Sequence, residues 1–304
     1  MEEPLDPTQF FHEMENSAQE GHLDLLKKQL ARWEAGIAGD SITQPDYLGF
    51  KPTPQDFENV ERALGHSVMF DDHVELIYFM LGRLMKKASR GNSVDVVKYL
   101  MDERKSPVTF PAVLISLIAQ SFDVLEVFLA HGWDINEPLK YGPILRLLAK
   151  SGKEAPIRWC LEHGADPQGC DDKGHRDVLS EAGKYCTVEI LRLLAGYGAD
   201  FSRSNALLRA AERTDKDAVK ILEWLLDEAK VPINHVEFEY DPEKSGMRTA
   251  LHCAVEHGAA ECVRYLLQRG IDVNLKNMCG RTARDIAQRM GRTEILETLD
   301  ANMG

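Results

Sequence analysis

The sequence predicts an all-α fold, a solenoid of stacked helix pairs, on three observations. The first is a period: Thr249 and Thr282, Ala254 and Ala287, and Gly258 and Gly291 all stand 33 residues apart in one register, and self-similarity at 20 to 50 residues decides the architecture. The second is a returning phrase. CVRYLLQRGIDVN at 262–274 recurs as ILRLLAGYGADF, PIRWCLEHGADP and VLEVFLAHGWDIN, with Gly132, Gly164 and Gly198 spaced by 32 and 34. Two further copies, VVKYLMDERKSPV and ILEWLLDEAKVPIN, lack the glycine but keep the apolar rhythm. The third is local: Val263, Leu266 and Leu267, like Ile190, Leu193 and Leu194, lie at helical spacing and stop at a glycine suited to a left-handed C-cap.

Ahead of each phrase lies a shorter helical segment: RLMKKASRG, AVLISLIAQS, ILRLLAKSG, DVLSEAGKY, NALLRAAERT and TALHCAVEHG. The unit is therefore helix, tight turn, helix, then an extended turn rich in Gly, Asp and Asn. One such pair cannot bury its own apolar face, so neighbours must stack. In chain order, 1–37 reads as a cap-like helix pair broken at Gly21-His22, and 38–81 is the least periodic stretch. Thr53-Pro54 in that stretch resembles a helix start, and 54–81 fits either a degenerate repeat or an inserted helix pair. Repeats then fill 82–299, with an inserted acidic loop at 235–247 that should project. The last helix, around 290–299, has polar cover fitting a terminal cap, so 1–304 reads as one solenoid domain.

Thr249-Ala250-Leu251-His252-Cys253-Ala254 resembles the T-P-L-H-x-A signature of the ankyrin-repeat family, Gly270 to Asn274 matches its ending, and Gly280-Arg281-Thr282-Ala283 opens the next unit. The resemblance is closest over 247–299 and extends in weaker form over 120–201. It implies about seven to eight repeats including caps, with Thr249 capping its helix and His252 tying the turn together. Ala250 stands where the family usually has proline, which removes some pre-organisation of the helix start. The segment from Leu266 to Asn274 is also similar to ankyrin sequences on which asparaginyl hydroxylases act. Read from the residue alone, the Asn274 side chain satisfies turn hydrogen bonds.

Catalytic and metal patterns fail on inspection. His252 and His257 lie five residues apart, about 140° round a helix, which is wrong for two zinc ligands on one face. Gly65 to Met69 lacks the closing glycine of a nucleophile elbow, Ser151-Gly152-Lys153 lacks the upstream glycine of a phosphate loop, and Asp166, Asp171 and Asp172 miss the calcium-loop spacing. Six cysteines, Cys160, Cys170, Cys186, Cys253, Cys262 and Cys279, form no CxxC pair and read as reduced thiols. No catalytic residue, cofactor or metal is expected. A net charge of −13 repels a phosphate backbone. The start of the chain has no basic and apolar signal pattern, and the longest apolar run, 111–119, is half of what a bilayer needs. The expected setting is cytoplasmic or nuclear, with neither nucleic acid nor membrane as a partner, and the expected state is a monomer.

Stacked pairs with projecting turns offer a concave surface of turn tips and first helices, and tips are free to vary. Candidate partner-binding residues at tips are Lys140, Tyr141, Gln168, Lys173, His175, Arg203, Arg248, Met278 and Arg281. On first helices they are Lys150, Lys184, Tyr185, Arg213, Glu256 and His257. Several are basic, so the surface could take an acidic peptide or helix. The leading function is a non-catalytic protein-binding module or scaffold. The alternatives are a regulatory subunit that docks an enzyme or transcription factor, and an enzyme built on a degenerate solenoid.

Overall fold

A computed structural model describes residues 7–38, 72–137, 142–170, 177–237 and 247–303. Among them every regular element is helical, and the chain divides into two compact units, Met1–Asp134 and Ile135–Gly304.

Unit 1 holds three helix pairs: α1 (Pro7–Glu20) with α2 (Leu23–Ala38), α3 (Asp72–Arg90) with α4 (Val94–Asp102), and α5 (Phe110–Ala119) with α6 (Phe122–Ala130). The break expected at Gly21-His22 is there, with Gly21 at φ 78°, a conformation only glycine adopts without strain. First helices pack on first helices, α1 on α3 and α3 on α5, while α4 packs on α6 behind them. Met14, Leu26, Leu30, Leu84, Met85, Leu100, Leu117, Leu125 and Phe128 are fully buried between the rows. Gly91 allows the end of α3 to touch the end of α1: a Cβ there would run into the Gln19 carbonyl. Sequence periodicity started this first helix at residue 82, but α3 begins ten residues earlier, inside the stretch read as irregular. The helix outruns the repeat, so its first turns have no counterpart elsewhere in the chain. The Thr53-Pro54 start lies outside the described residues.

Unit 2 holds five pairs. First helices are α7 (Ile144–Ser151), α9 (Val178–Tyr185), α11 (Ala206–Ala211), α13 (Ala250–His257) and α15 (Ala283–Arg289). Second helices are α8 (Glu154–Glu162), α10 (Val188–Gly196), α12 (Ala218–Asp227), α14 (Ala260–Gln268) and α16 (Thr293–Met303). The first helices pack more closely than the second. The cause is side-chain size, since Ala149, Ala182, Ala206, Ala210, Ala211 and Ala254 are buried along that row and a Cβ on Gly183 would strike the Ala206 carbonyl. Leu, Ile and Trp fill the back instead: Ile157, Leu191, Ile221, Trp224 and Leu266.

Polar side chains stitch the turns together. Asn136 donates to the Gly164 carbonyl (2.9 Å) and accepts from the Asp166 amide (2.8 Å). Gln168 accepts from the Asp200 amide (3.0 Å), and Asn234 from the Asp272 amide (2.9 Å). Each bond reaches one repeat ahead and satisfies a backbone group that stacking leaves unpaired. The two ends of the acidic loop are pinned by the Glu237 amide donating to the Arg248 carbonyl (2.8 Å); its middle lies outside the described residues.

Candidate functional site

Thr249 and His252 are both about 1% exposed, so their chemistry points inward. The Thr249 amide donates to His252 Nδ1 (3.1 Å), and His252 Nε2 donates to the Arg281 carbonyl of the following turn (3.1 Å). The ring is thus the neutral tautomer with its proton on Nε2, the two nitrogens holding opposite roles. Burial holds its pKa below the ordinary histidine range, with the Arg281 carbonyl opposing. Thr249 and His252 complete a capping box, and the box recurs one repeat on, where Thr282 accepts from the Asp285 amide (3.2 Å) and the Thr282 amide donates back to Asp285 (2.8 Å). A reciprocal box satisfies two helix-start donors at once.

A family model of ankyrin repeats, in three copies, matches residues 207–303, the region that holds both boxes and the cross-turn histidine His252. The chain carries ankyrin repeats over residues 207–303. It is similar to an alpha-latrotoxin of Latrodectus geometricus, 25% identical over 258 residues, covering 80% of this chain and 16% of the toxin. An E3 ubiquitin-protein ligase of Arabidopsis thaliana is 44% identical over 54 residues, 18% of this chain and 10% of the ligase. A potassium channel of the same plant is 26% identical over 242 residues, 63% of this chain and 27% of the channel. The chain therefore spans between a tenth and about a quarter of the length of these relatives. Ankyrin repeats are, as a class, protein–protein interaction modules.

The front of unit 2 is the row of first helices, and charge pairs tie it together. Arg146 on α7 is bonded to Glu181 on α9, both about one-tenth exposed. Glu212, just past α11 and with a side chain only 2% exposed, accepts from Lys184 Nζ of α9 (2.7 Å) and from Arg209 Nη1 at both oxygens (2.7 Å each). His257 Nε2 of α13 lies 3.8 Å from the same carboxylate. Arg248 binds Glu237 and, at 3.2 Å, Glu256, and these acids hold its pKa above the usual guanidinium range, Glu237 foremost. Arg213 donates to the Cys186 carbonyl (2.7 Å) and to Asp215 (2.9 Å).

These bonds sort the candidate residues. Lys184, Arg213, Arg248 and Glu256 face the front but are held by partners within the chain. Tyr185 (40% exposed), Met278 (60%), Lys150, Arg203 and His257 present side chains to solvent. Arg281 is half-buried and serves through its backbone, accepting from His252 and donating to Asn277 (3.1 Å). Gln168 is one of the turn stitches. Lys140, Tyr141, Lys173 and His175 lie outside the described residues.

Sequence reasoning missed Glu212, the node of the charge network. Its one local signal is Arg209 three residues before, on the same helix face; Lys184 and His257 reach it only through stacking. The reading of Asn274 also changes. Its exposed side chain does not make the turn: the Asp272 carboxylate accepts from the Asn274 amide (2.9 Å), an Asx turn made by the residue two before. The thiols of Cys160, Cys186, Cys253 and Cys262 are pushed up to about 12 by burial, so they pack as small apolar groups rather than as nucleophiles. Among the described residues no cluster of three metal-ligating side chains exists, and no helix is long and apolar enough to cross a membrane.

Proposed function

We propose that this chain is a non-catalytic binding module that holds a protein partner on the front of unit 2, with Tyr185, Arg203 and Met278 as contact residues. The observation that carries the reading is the division of labour on that face. Buried pairs fix the first helices in register, while an aromatic ring, an arginine and a long apolar side chain stand clear of them, and aromatic and arginine side chains dominate interface energetics. Glu212 and His257 come together as a general acid and base would, but three of the roughly four acceptor sites of the Glu212 carboxylate already take bonds from Lys184 and Arg209. A carboxylate so engaged favours a structural over a catalytic role.

The six cysteines, all free thiols, fit a reducing compartment, cytoplasmic or nuclear. An accessory role beside an enzyme is the second reading, favoured by the short, close similarity to part of an E3 ubiquitin-protein ligase. Affinity capture from native extract tests the first, using the wild-type chain and a Tyr185→Ala, Arg203→Ala, Met278→Ala variant. The partner should be retained by the former and lost by the latter with the helical circular dichroism unchanged. Equal retention by both would remove this face from the account.

A further inference from the structure

The front of unit 1 carries a second surface, and its chemistry differs from that of unit 2. Arg83, Lys86, Lys87 and Arg90 recur on α3 at i, i+3, i+4 and i+7, one face of the helix, opposite the buried Leu81, Leu84, Met85 and Ala88. Glu15 of α1 neutralises part of this stripe: it is 3% exposed, accepts from Arg83 Nε (2.8 Å) and lies 3.1 Å from Lys87 Nζ. Burial pushes the Glu15 carboxyl up, but Lys87 and Arg83 together hold it below the usual range. Neither Lys86, half-buried, nor Arg90, exposed, has an ion pair among the described residues. Two cationic heads thus remain on a chain whose net charge is −13.

The next first helix has no charge at all. Across α5, Phe110, Leu114 and Ile118 follow at i, i+4 and i+8 with Pro111 and Ile115 beside them. The opposite side, Ala112, Val113, Ser116 and Leu117, is buried against the unit. Ile118 is 54% exposed and Phe110 38%. Hydrophobic residues scattered singly on a surface are ordinary, but a helix apolar on its outer face as well as its inner one marks an interaction surface. Because α5 packs directly on α3, the helices that carry the apolar stripe and the cationic stripe are neighbours.

From this juxtaposition we propose that the front of unit 1 binds an acidic amphipathic segment of a partner protein. The carboxylates of that segment would meet Lys86 and Arg90, and its apolar side chains would lie along Phe110, Leu114 and Ile118. Charge complementarity selects the occupant. A basic segment meets two unneutralised cations, and a neutral apolar one leaves them unpaired against its surface. An anionic bilayer also combines negative charge with hydrocarbon, but the whole-chain charge of −13 repels it, whereas a short acidic segment feels chiefly the local cations within a Debye length of about 8 Å. The recognition mode is an amphipathic helix laid on a groove, its apolar side chains spaced to match those of α5.

The proposal rests on the protein-binding reading above, and one experiment separates their fates. A phage-displayed library of random 16-residue peptides is panned on the full chain, and enriched peptides are measured by fluorescence anisotropy against wild type, Lys86→Glu/Arg90→Glu and Ile118→Glu. All three replaced side chains are exposed or half-buried, and circular dichroism confirms folding. Expected are peptides that combine Asp or Glu with Leu, Ile or Phe at helical spacing, binding more weakly as salt rises and losing about tenfold or more in affinity on either variant. Enriched peptides that are basic, or that bind the variants as well as the wild type, would overturn this site and leave the general binding reading standing. No enrichment would overturn both. Co-sedimentation with phosphatidylserine vesicles, abolished by the same substitutions, would replace the peptide with a membrane surface and so also overturn the proposal.

Discussion

Replacing His252 by alanine tests the physical core of unit 2. The ring is about 1% exposed; it accepts from the Thr249 amide and donates to the Arg281 carbonyl, which also accepts from the Asn277 amide (2.9 Å). Removing it strands the buried Thr249 donor at about 1–3 kcal/mol, while the Arg281 carbonyl keeps its backbone bond. The cavity adds to this, so the total loss is about 3 kcal/mol. Unit 2 spans residues 135–304, and for a unit of that size such a loss lowers the melting temperature by roughly 6–12 °C. His257→Ala, on the same helix but exposed, is the control and should change stability by less than about 0.5 kcal/mol. Thermal unfolding followed at 222 nm decides between them, and equal melting of the two variants would refute the assignment. The same ring sets a pH dependence. Burial holds the folded pKa of His252 below its ordinary value, so the unfolded chain binds the proton more readily. The stability it contributes is therefore complete above an unfolded pKa of about 6.5 and is lost as pH falls through that value toward the folded one. A His252→Gln variant should show a flatter stability profile between about pH 5 and 7.

Other consequences are open to direct measurement. His131 behaves oppositely: its bond to Asp102 (2.9 Å) raises its pKa, so the contribution it makes to unit 1 is present below about pH 6.5 and fades as pH rises through the folded value, which NMR titration of the ring would register as an upward-shifted midpoint. Gly183→Ala forces a Cβ into the Ala206 carbonyl and should destabilise unit 2 by about 2 kcal/mol or more, as overpacking against backbone does; chemical denaturation reads it, and an unchanged midpoint would mean that α9 and α11 are farther apart than described. Thiol labelling at pH 8 should modify the exposed Cys279 quickly while Cys160, Cys186, Cys253 and Cys262, buried with thiols near 12, wait on unfolding.

Much of the fold can be read directly from the residues, because each repeat must solve the same local problem. The 33-residue register of Thr249 and Thr282 marks two capping boxes, and the glycines at 132, 164, 198, 258 and 291 all take positive φ. What the sequence hides is set by neighbours in space. Lys184 and Glu212 are 28 residues apart, with no pattern linking them until α9 lies on α11. Asn136, Gln168 and Asn234 look like ordinary turn residues, and only stacking shows that each binds the following repeat. Likewise Arg213 and Arg248 carry the residue type expected of an interface, yet they are held by carbonyls and carboxylates of their own unit. The start of α3 at Asp72 escaped because periodicity recognises only what recurs. The two faces of the apolar run 111–119 cannot be distinguished by composition, so the exposure of Ile118 and of its neighbour Phe110 is visible only in the fold.

The central claim is that partners bind to the first helices and turn tips rather than to the second helices behind them. Amide hydrogen exchange on the chain with and without its captured partner tests this most directly. The account predicts added protection at the ends of α9, α11 and α13 and in the turns holding Arg203 and Met278, with α10, α12 and α14 unchanged. Protection confined to those three second helices would contradict it.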